Sequence, residues 1–217
     1  MTDDLERRAT VDVADCETTG RIEHPGGLAR RRLLAAAVAA GIGAAVSPAA
    51  RAQEDAPGAD ERPQKADLLV FTEGDRAGEI IKPADLPLGG PPVHAWPMDP
   101  RTRVVRSGSR LNELLVLRLD PAEFDDDTRV HAVDGIVAYS AICSHAGCPV
   151  TEWVKASEGD KDVFKCPCHG SEYDPRHNAE VVFGPAPRHL AALPLATEDH
   201  SIAVAAMFLG KVGAQQG

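Results

Sequence analysis

The chain has 217 residues, 33 acidic against 23 basic side chains and a net charge of −10, a balance that argues against nucleic acid as a partner. At this length one globular domain with appendages is expected. Four of its five cysteines fall between residues 143 and 168, and the fifth, Cys16, stands far upstream in a polar stretch that gives it no chemistry.

The first 52 residues read as an export leader. Arg30-Arg31-Arg32-Leu33-Leu34 opens an apolar run over 33–46, and Ser47-Pro48-Ala49-Ala50-Arg51-Ala52 closes it with a small-residue, A-x-A-like end. That order is a basic n-region, an h-region and a cleavage signal. Two adjacent arginines, a spacer and two leucines resemble a twin-arginine signal, which implies the periplasmic side of the inner membrane as destination. The apolar run has fourteen residues, roughly 21 Å of helix against a hydrocarbon core of ~30 Å. Extended to Ala50 it has eighteen, so a cleaved signal and a retained anchor helix both stand. A buried Ala-rich helix is the competing reading, and the polar tail that follows speaks against it.

Charge is uneven. The first 52 residues hold seven basic and seven acidic side chains, so the remaining sixteen basic and twenty-six acidic side chains carry all of the net charge. A partner with a basic face would be steered toward that surface; plain solubility explains the acidity equally well.

Residues 53–66, rich in Ala, Pro, Glu and Asp without periodicity, read as a linker. From residue 67 to 217 short β-branched or alternating runs follow one another between Pro, Gly and Asp. Strands are expected at 68–71, 103–106, 113–119, 136–141, 163–165, 180–183 and 202–208. No long amphipathic helix competes, so the fold class is all-β, an antiparallel sandwich or barrel. Residues 82–101 contain six prolines, Gly89-Gly90 and Trp96; they read as a docking surface or as a connection wrapped over the fold with Trp96 filling a gap. Asp125-Asp126-Asp127 reads as a solvated turn, since no ligand-spaced loop surrounds it for calcium.

Two boxes carry the chemistry. Cys143-Ser-His145-Ala-Gly-Cys148 offers C-x-H, and Cys166-Pro-Cys168-His169-Gly-Ser171 offers C-x-x-H. Each falls just after an expected strand, on a loop. Two Cys and two His also make a structural zinc set, which leaves the spare cysteines, Cys148 and Cys168, without a task. The remaining histidines, His24, His94, His131, His177, His189 and His200, lack a cysteine at ligand spacing.

The boxes, with Ser171, Tyr173 and the Gly184-Pro185-Ala186-Pro187 run, resemble the high-potential Rieske iron–sulfur proteins, closely over about residues 136–194. The resemblance implies a Rieske-type β sandwich or barrel with a cluster-binding subdomain of two loops. It implies one 2Fe–2S cluster, with Cys143 and Cys166 on one iron and His145 and His169 on the other. It also implies a disulfide between Cys148 and Cys168 that pins the loops, suited to an oxidising periplasm. Ser171 and Tyr173 are implied as hydroxyl donors to cluster sulfur, and the proline run as a cover.

Replacing two thiolates by neutral imidazoles removes about two negative charges and lifts the potential to roughly −150 to +300 mV. The favoured expectation is the iron–sulfur subunit of a quinol-oxidising cytochrome bc-type complex. His169 there is the catalytic group that takes the quinol proton, and a c-type cytochrome takes the electron. The alternatives are a small Rieske subunit beside a molybdenum catalytic subunit, as in arsenite oxidase, and a free-standing periplasmic carrier. An oxygenase ferredoxin fits worst, because leader and spare cysteines would be out of place. In all of these the chain is an electron-transfer subunit without a complete active site of its own.

Overall fold

The computed structural model describes residues 56–214; the expected leader with Arg30 and Arg31, the anchor helix expected of it, and Cys16 lie outside the described residues. The described residues form ten strands: β1 (Leu68–Phe71), β2 (Val93–Met98), β3 (Leu114–Arg118), β4 (Ile136–Ser140), β5 (Glu152–Lys155), β6 (Asp162–Cys166), β7 (Ser171–Asp174), β8 (Glu180–Phe183), β9 (Leu195–Glu198) and β10 (Ser201–Val204). One short helix, α1 (Asp126–Arg129), joins three 3-10 turns. The strands form a six-stranded sheet, β4-β3-β2-β1-β10-β9, and a four-stranded sheet, β5-β6-β7-β8. Every named pairing is antiparallel, so the all-β expectation holds. Among the described residues no helix is long and apolar enough to cross a membrane.

The alternation in β3 and β4 explains where the site sits. Successive side chains of a strand point to opposite faces, and here both faces are covered. Leu114, Val116, Ile136 and Ala138 belong to a core with Leu69, Ala95, Leu193 and Ile202. Leu115, Leu117, Val137 and Tyr139 belong to a second core that continues into Phe164, Tyr173, Cys143 and Cys166. The two cysteines are thus the far edge of a packed core, which holds their backbone still.

Several expectations change. Residues 103–106 form no strand: Arg103 adopts φ 62°, and the segment meets β2 only at the bridge Met98↔Val105. Asp99 Oδ1 takes the N–H of Arg101 at 2.8 Å, so a turn claims backbone that a ladder would need. The last strand stops at Val204 rather than running to 208. The span 82–101 contains β2, a strand flanked by partners on both sides, so it is largely fold and not loop. Pro97 stands past the final β2–β3 register pair, Ala95↔Leu114, where its missing N–H breaks no bond of that ladder. Trp96 is half-buried against the small cluster of Val70, Met98 and Val105.

The stretch expected to link, 53–66, is anchored from its first described residues. Ala59 is 1% exposed, and Gly108 N donates to Ala59 O. Arg106, itself buried, holds Asp67 with two bonds, Nε to Oδ2 at 2.5 Å and Nη2 to Oδ1 at 3.0 Å. Its Nη1 donates to Gly58 O and Glu61 Oε2. Asn112 Nδ2 donates to Glu61 O at 2.7 Å. A bidentate guanidinium–carboxylate pair out of water is geometrically demanding, and it fixes this segment to the sheet. Asp125, expected in a solvated turn, caps α1 by accepting from Thr128 N at 2.7 Å.

Candidate metal centre

The two boxes build one turn twice. Gly147 N donates to Cys143 O and Gly170 N donates to Cys166 O, both at 3.0 Å, a five-residue closure counted from each cysteine. Gly147 and Gly170 have φ of 71° and 73°, the left-handed region that glycine enters without penalty. The turns face each other, because the rings of His145 and His169 meet edge to face with centroids 4.6 Å apart. Cys143 and Cys166 are each 1% exposed, His145 is half-buried and His169 is exposed. Sulfur therefore lies inside and imidazole outside.

Burial pushes the Cys166 thiol up to about 12, with the nearby Cys143 sulfur adding to the effect. The Cys168 backbone N–H works the other way by donating to the Cys166 sulfur. A buried thiolate pair needs positive charge to exist, which iron supplies. His145 Nδ1 is buried without a hydrogen-bond partner, and a neutral imidazole nitrogen so placed suits a metal. The donor set thus fits two thiolates at depth and two imidazoles at the rim.

The spare cysteines also come together. The sulfurs of Cys148, Cys166 and Cys168 lie within 4.8 Å of one another, and all four described cysteines are free thiols. The Cys148 thiol is raised chiefly by its neighbour Cys168. Cys148 and Cys168 are close enough to be bridge partners with little movement.

Tyr173 and Ser171 sit on β7, beside a register shift between Glu172 and Tyr173 that re-aims the side chains there. Tyr173 Oη is 3.1 Å from Cys143 Sγ and accepts from Ser144 N at 3.3 Å. Burial raises the Tyr173 hydroxyl, as does Cys143, so it stays protonated and can donate to a thiolate. Ser171 Oγ accepts from Ala186 N at 3.2 Å, which ties the proline run to β7 and leaves the serine hydrogen free. Gly184 makes that approach possible: a Cβ there would stand 2.6 Å from Ser171 Cα.

Two contributors were not nominated from sequence. Ser144 Oγ donates to Arg188 O at 2.6 Å, locking the first turn to the chain beyond the proline run. Glu172, fully buried, takes Ser157 N, Ser157 Oγ and Lys165 Nζ at 2.6–2.9 Å, bracing β7 from behind. Their positions, between Cys143 and His145 and between Ser171 and Tyr173, were the only signal. Three of the other described histidines have separate contacts: His94 with Glu113 at 2.7 Å, His177 with Asp174 at 2.9 Å and His189 with Leu190 O.

Residues 94–194 match the family model of the Rieske [2Fe-2S] domain. The chain carries a Rieske domain. Its cofactor is accordingly a 2Fe–2S cluster of the Rieske type, which displaces the zinc reading. The cytochrome bc1 complex Rieske iron-sulfur subunit of Streptomyces lividans is 38% identical over 87 residues, covering 40% of this chain and 49% of that protein. A putative respiratory nitrate reductase Rieske subunit of Haloferax mediterranei is 37% identical over 101 residues, 46% of this chain and 43% of that protein. The chain thus spans about half or less of the relatives' length. Among solved structures, the soluble domain of Rieske protein II from Sulfolobus acidocaldarius aligns with TM-score 0.31 at 21% identity, covering 43% of this chain and 61% of that one.

Proposed function

We propose that the chain is the iron–sulfur subunit of a quinol-oxidising complex of the cytochrome bc1 type, exported through a twin-arginine leader to the periplasmic face of the membrane. The observation that carries the reading is the exposure of His169 beside buried Cys143 and Cys166, joined to the bc1 names of the relatives. Cys143 and Cys166 would hold one iron, His145 and His169 the other. The bound cluster supplies a one-electron acceptor of raised potential. The outer nitrogen of His169 accepts a hydrogen bond from the quinol hydroxyl and then its proton. Tyr173 donates to the Cys143 sulfur, and the run around Ala186 keeps water from that side. A c-type cytochrome would receive the electron, steered by the acidic surface.

The span 56–66 is packed on the domain, so any tether to a membrane anchor must come from residues before 56. Cys148 and Cys168 would close the disulfide that joins the two turns. Changing either to serine should shorten the lifetime of the bound cluster several-fold without removing a ligand; equal bleaching rates in wild type and variant would remove the bridge.

The Haloferax relative, named with a respiratory nitrate reductase, favours a second reading, a Rieske subunit of an exported molybdenum oxidoreductase of the arsenite-oxidase kind. Deletion of the gene decides between them. Membranes of the deletion strain should lose quinol–cytochrome c reductase activity and regain it with the full chain. Undiminished activity overturns the bc1 reading.

A further inference from the structure

Beside Ala146 and Gly147 of the first turn lies a cavity of about 670 Å³, within the size range of roughly 300–1,000 Å³ typical of small-molecule sites. Its floor is apolar, formed by Leu111, Ile142 and Phe208, with Met207 beside them 69% exposed. Its charged lining is Arg62, Arg110 and Lys211, and no Asp or Glu lines it. That is unexpected in a chain whose acids outnumber its bases by ten.

Among the described residues none of these three cations pairs with a carboxylate. Arg62 Nη1 donates only to Leu111 O at 3.3 Å, and Arg110 Nη1 to Gly147 O at 2.8 Å. Arg188 does not line the cavity but holds two residues that do, its Nη2 donating to the carbonyls of Lys211 and Gly213. Its Nε and Nη1 are buried without partners. Elsewhere in the fold cations find acids: Arg106 with Asp67, Arg176 with Glu123, Lys165 with Glu172.

Several unpaired cations around an apolar floor select an anion that carries an alkyl or other apolar body. Charge-assisted bonds take the head, and the floor takes the tail. We infer that this cavity binds a single anionic amphiphile, a carboxylate or phosphate on an apolar chain, next to the turn that carries His145. Arg110 belongs to both, since it lines the cavity and holds Gly147.

The test is calorimetric titration of the full cluster-loaded chain with monomeric dodecanoate and dodecyl phosphate, below their micelle concentrations. Saturable one-to-one binding is expected. Dodecyltrimethylammonium and inorganic phosphate should each bind at least about tenfold more weakly, a difference of about 1.4 kcal/mol. Lys211→Gln and Arg62→Gln should each weaken dodecanoate about threefold or more. Arg110→Gln should do the same provided its melting temperature is unchanged; Lys211 makes no bond that its loss would break, so that variant decides if Arg110→Gln unfolds. No binding, equal affinity for the cationic amphiphile or for bare phosphate, or unchanged affinity in Lys211→Gln and Arg62→Gln would each overturn the site. So would retention on anionic vesicles without any binding of monomer.

Discussion

The two sheets handle burial differently. In the six-stranded sheet β3 and β4 are mostly apolar on both faces and nearly solvent-free, LLVLR and IVAYS with only Arg118 part exposed. In the four-stranded sheet the outer strands are open, β5 as intermediate to exposed and β8 likewise. Its middle is held by charge: Glu172 with Lys165, and Asp174 and Glu123 with Arg176. The larger sheet supplies rigidity, and the smaller one supplies turns with defined hydrogen bonds. A site on loops needs both, because loops alone do not keep a geometry.

Substitutions can separate the two. The largest effect is Cys166→Ser, which should abolish the visible and EPR signals of the cluster while far-UV circular dichroism keeps its β signature. Collapse of both together would mean that the metal, not the alkyl core, holds the large sheet. Next is Leu117→Ala, 0% exposed, expected to destabilise by about 3 kcal/mol and to lower the melting temperature by roughly 8 °C. Its cluster spectrum should be unchanged below that transition.

Tyr173→Phe is subtler, since the fold stays and one donor to sulfur goes. The loss of a bond of about 1 kcal/mol should lower the one-electron potential by about 40 mV. Ser171→Ala should move it the same way and also free the Ala186 N–H. A potential unmoved in both variants would remove the hydroxyls from the cluster's surroundings.

The smallest effect concerns His131, 1% exposed, with neither ring nitrogen partnered and its ring edge-on to Tyr139 at 5.4 Å. Burial lowers its pKa below the ordinary 6.5. The unfolded chain therefore takes up a proton before the folded one does. The contribution of neutral His131 is complete above about 6.5 and falls away as pH drops toward the lowered value. Urea midpoints measured from pH 7.5 to 5 should decline less steeply in His131→Phe than in wild type. Parallel declines would discharge His131 from this role.

The ligand boxes were legible because metal chemistry demands residue types at fixed spacing, and β1, β3, β4, β6 and β8 because their apolar runs are bounded by turn residues. β2 escaped because Pro91, Pro92 and Pro97 read as connection, although the prolines fall before the strand or beyond its β3 ladder. β10 was expected, with a longer end, but β9 and the hairpin that joins them were hidden by the turn. Asp199 and His200 both take positive φ between the paired Glu198 and Ser201, a conformation usually announced by Asn-Gly. Glu172 could not be read as buried because its partners, Ser157 and Lys165, lie across a register no local pattern contains. The cavity cations are as distant from one another along the chain as 62 and 211.

With sulfur inside and imidazole at the rim, the proposed carrier exchanges through atoms that solvent and partners can reach. Such a protein needs no internal wire of side chains. It works by touch, and selection of who may touch it passes to the skin immediately surrounding two rings.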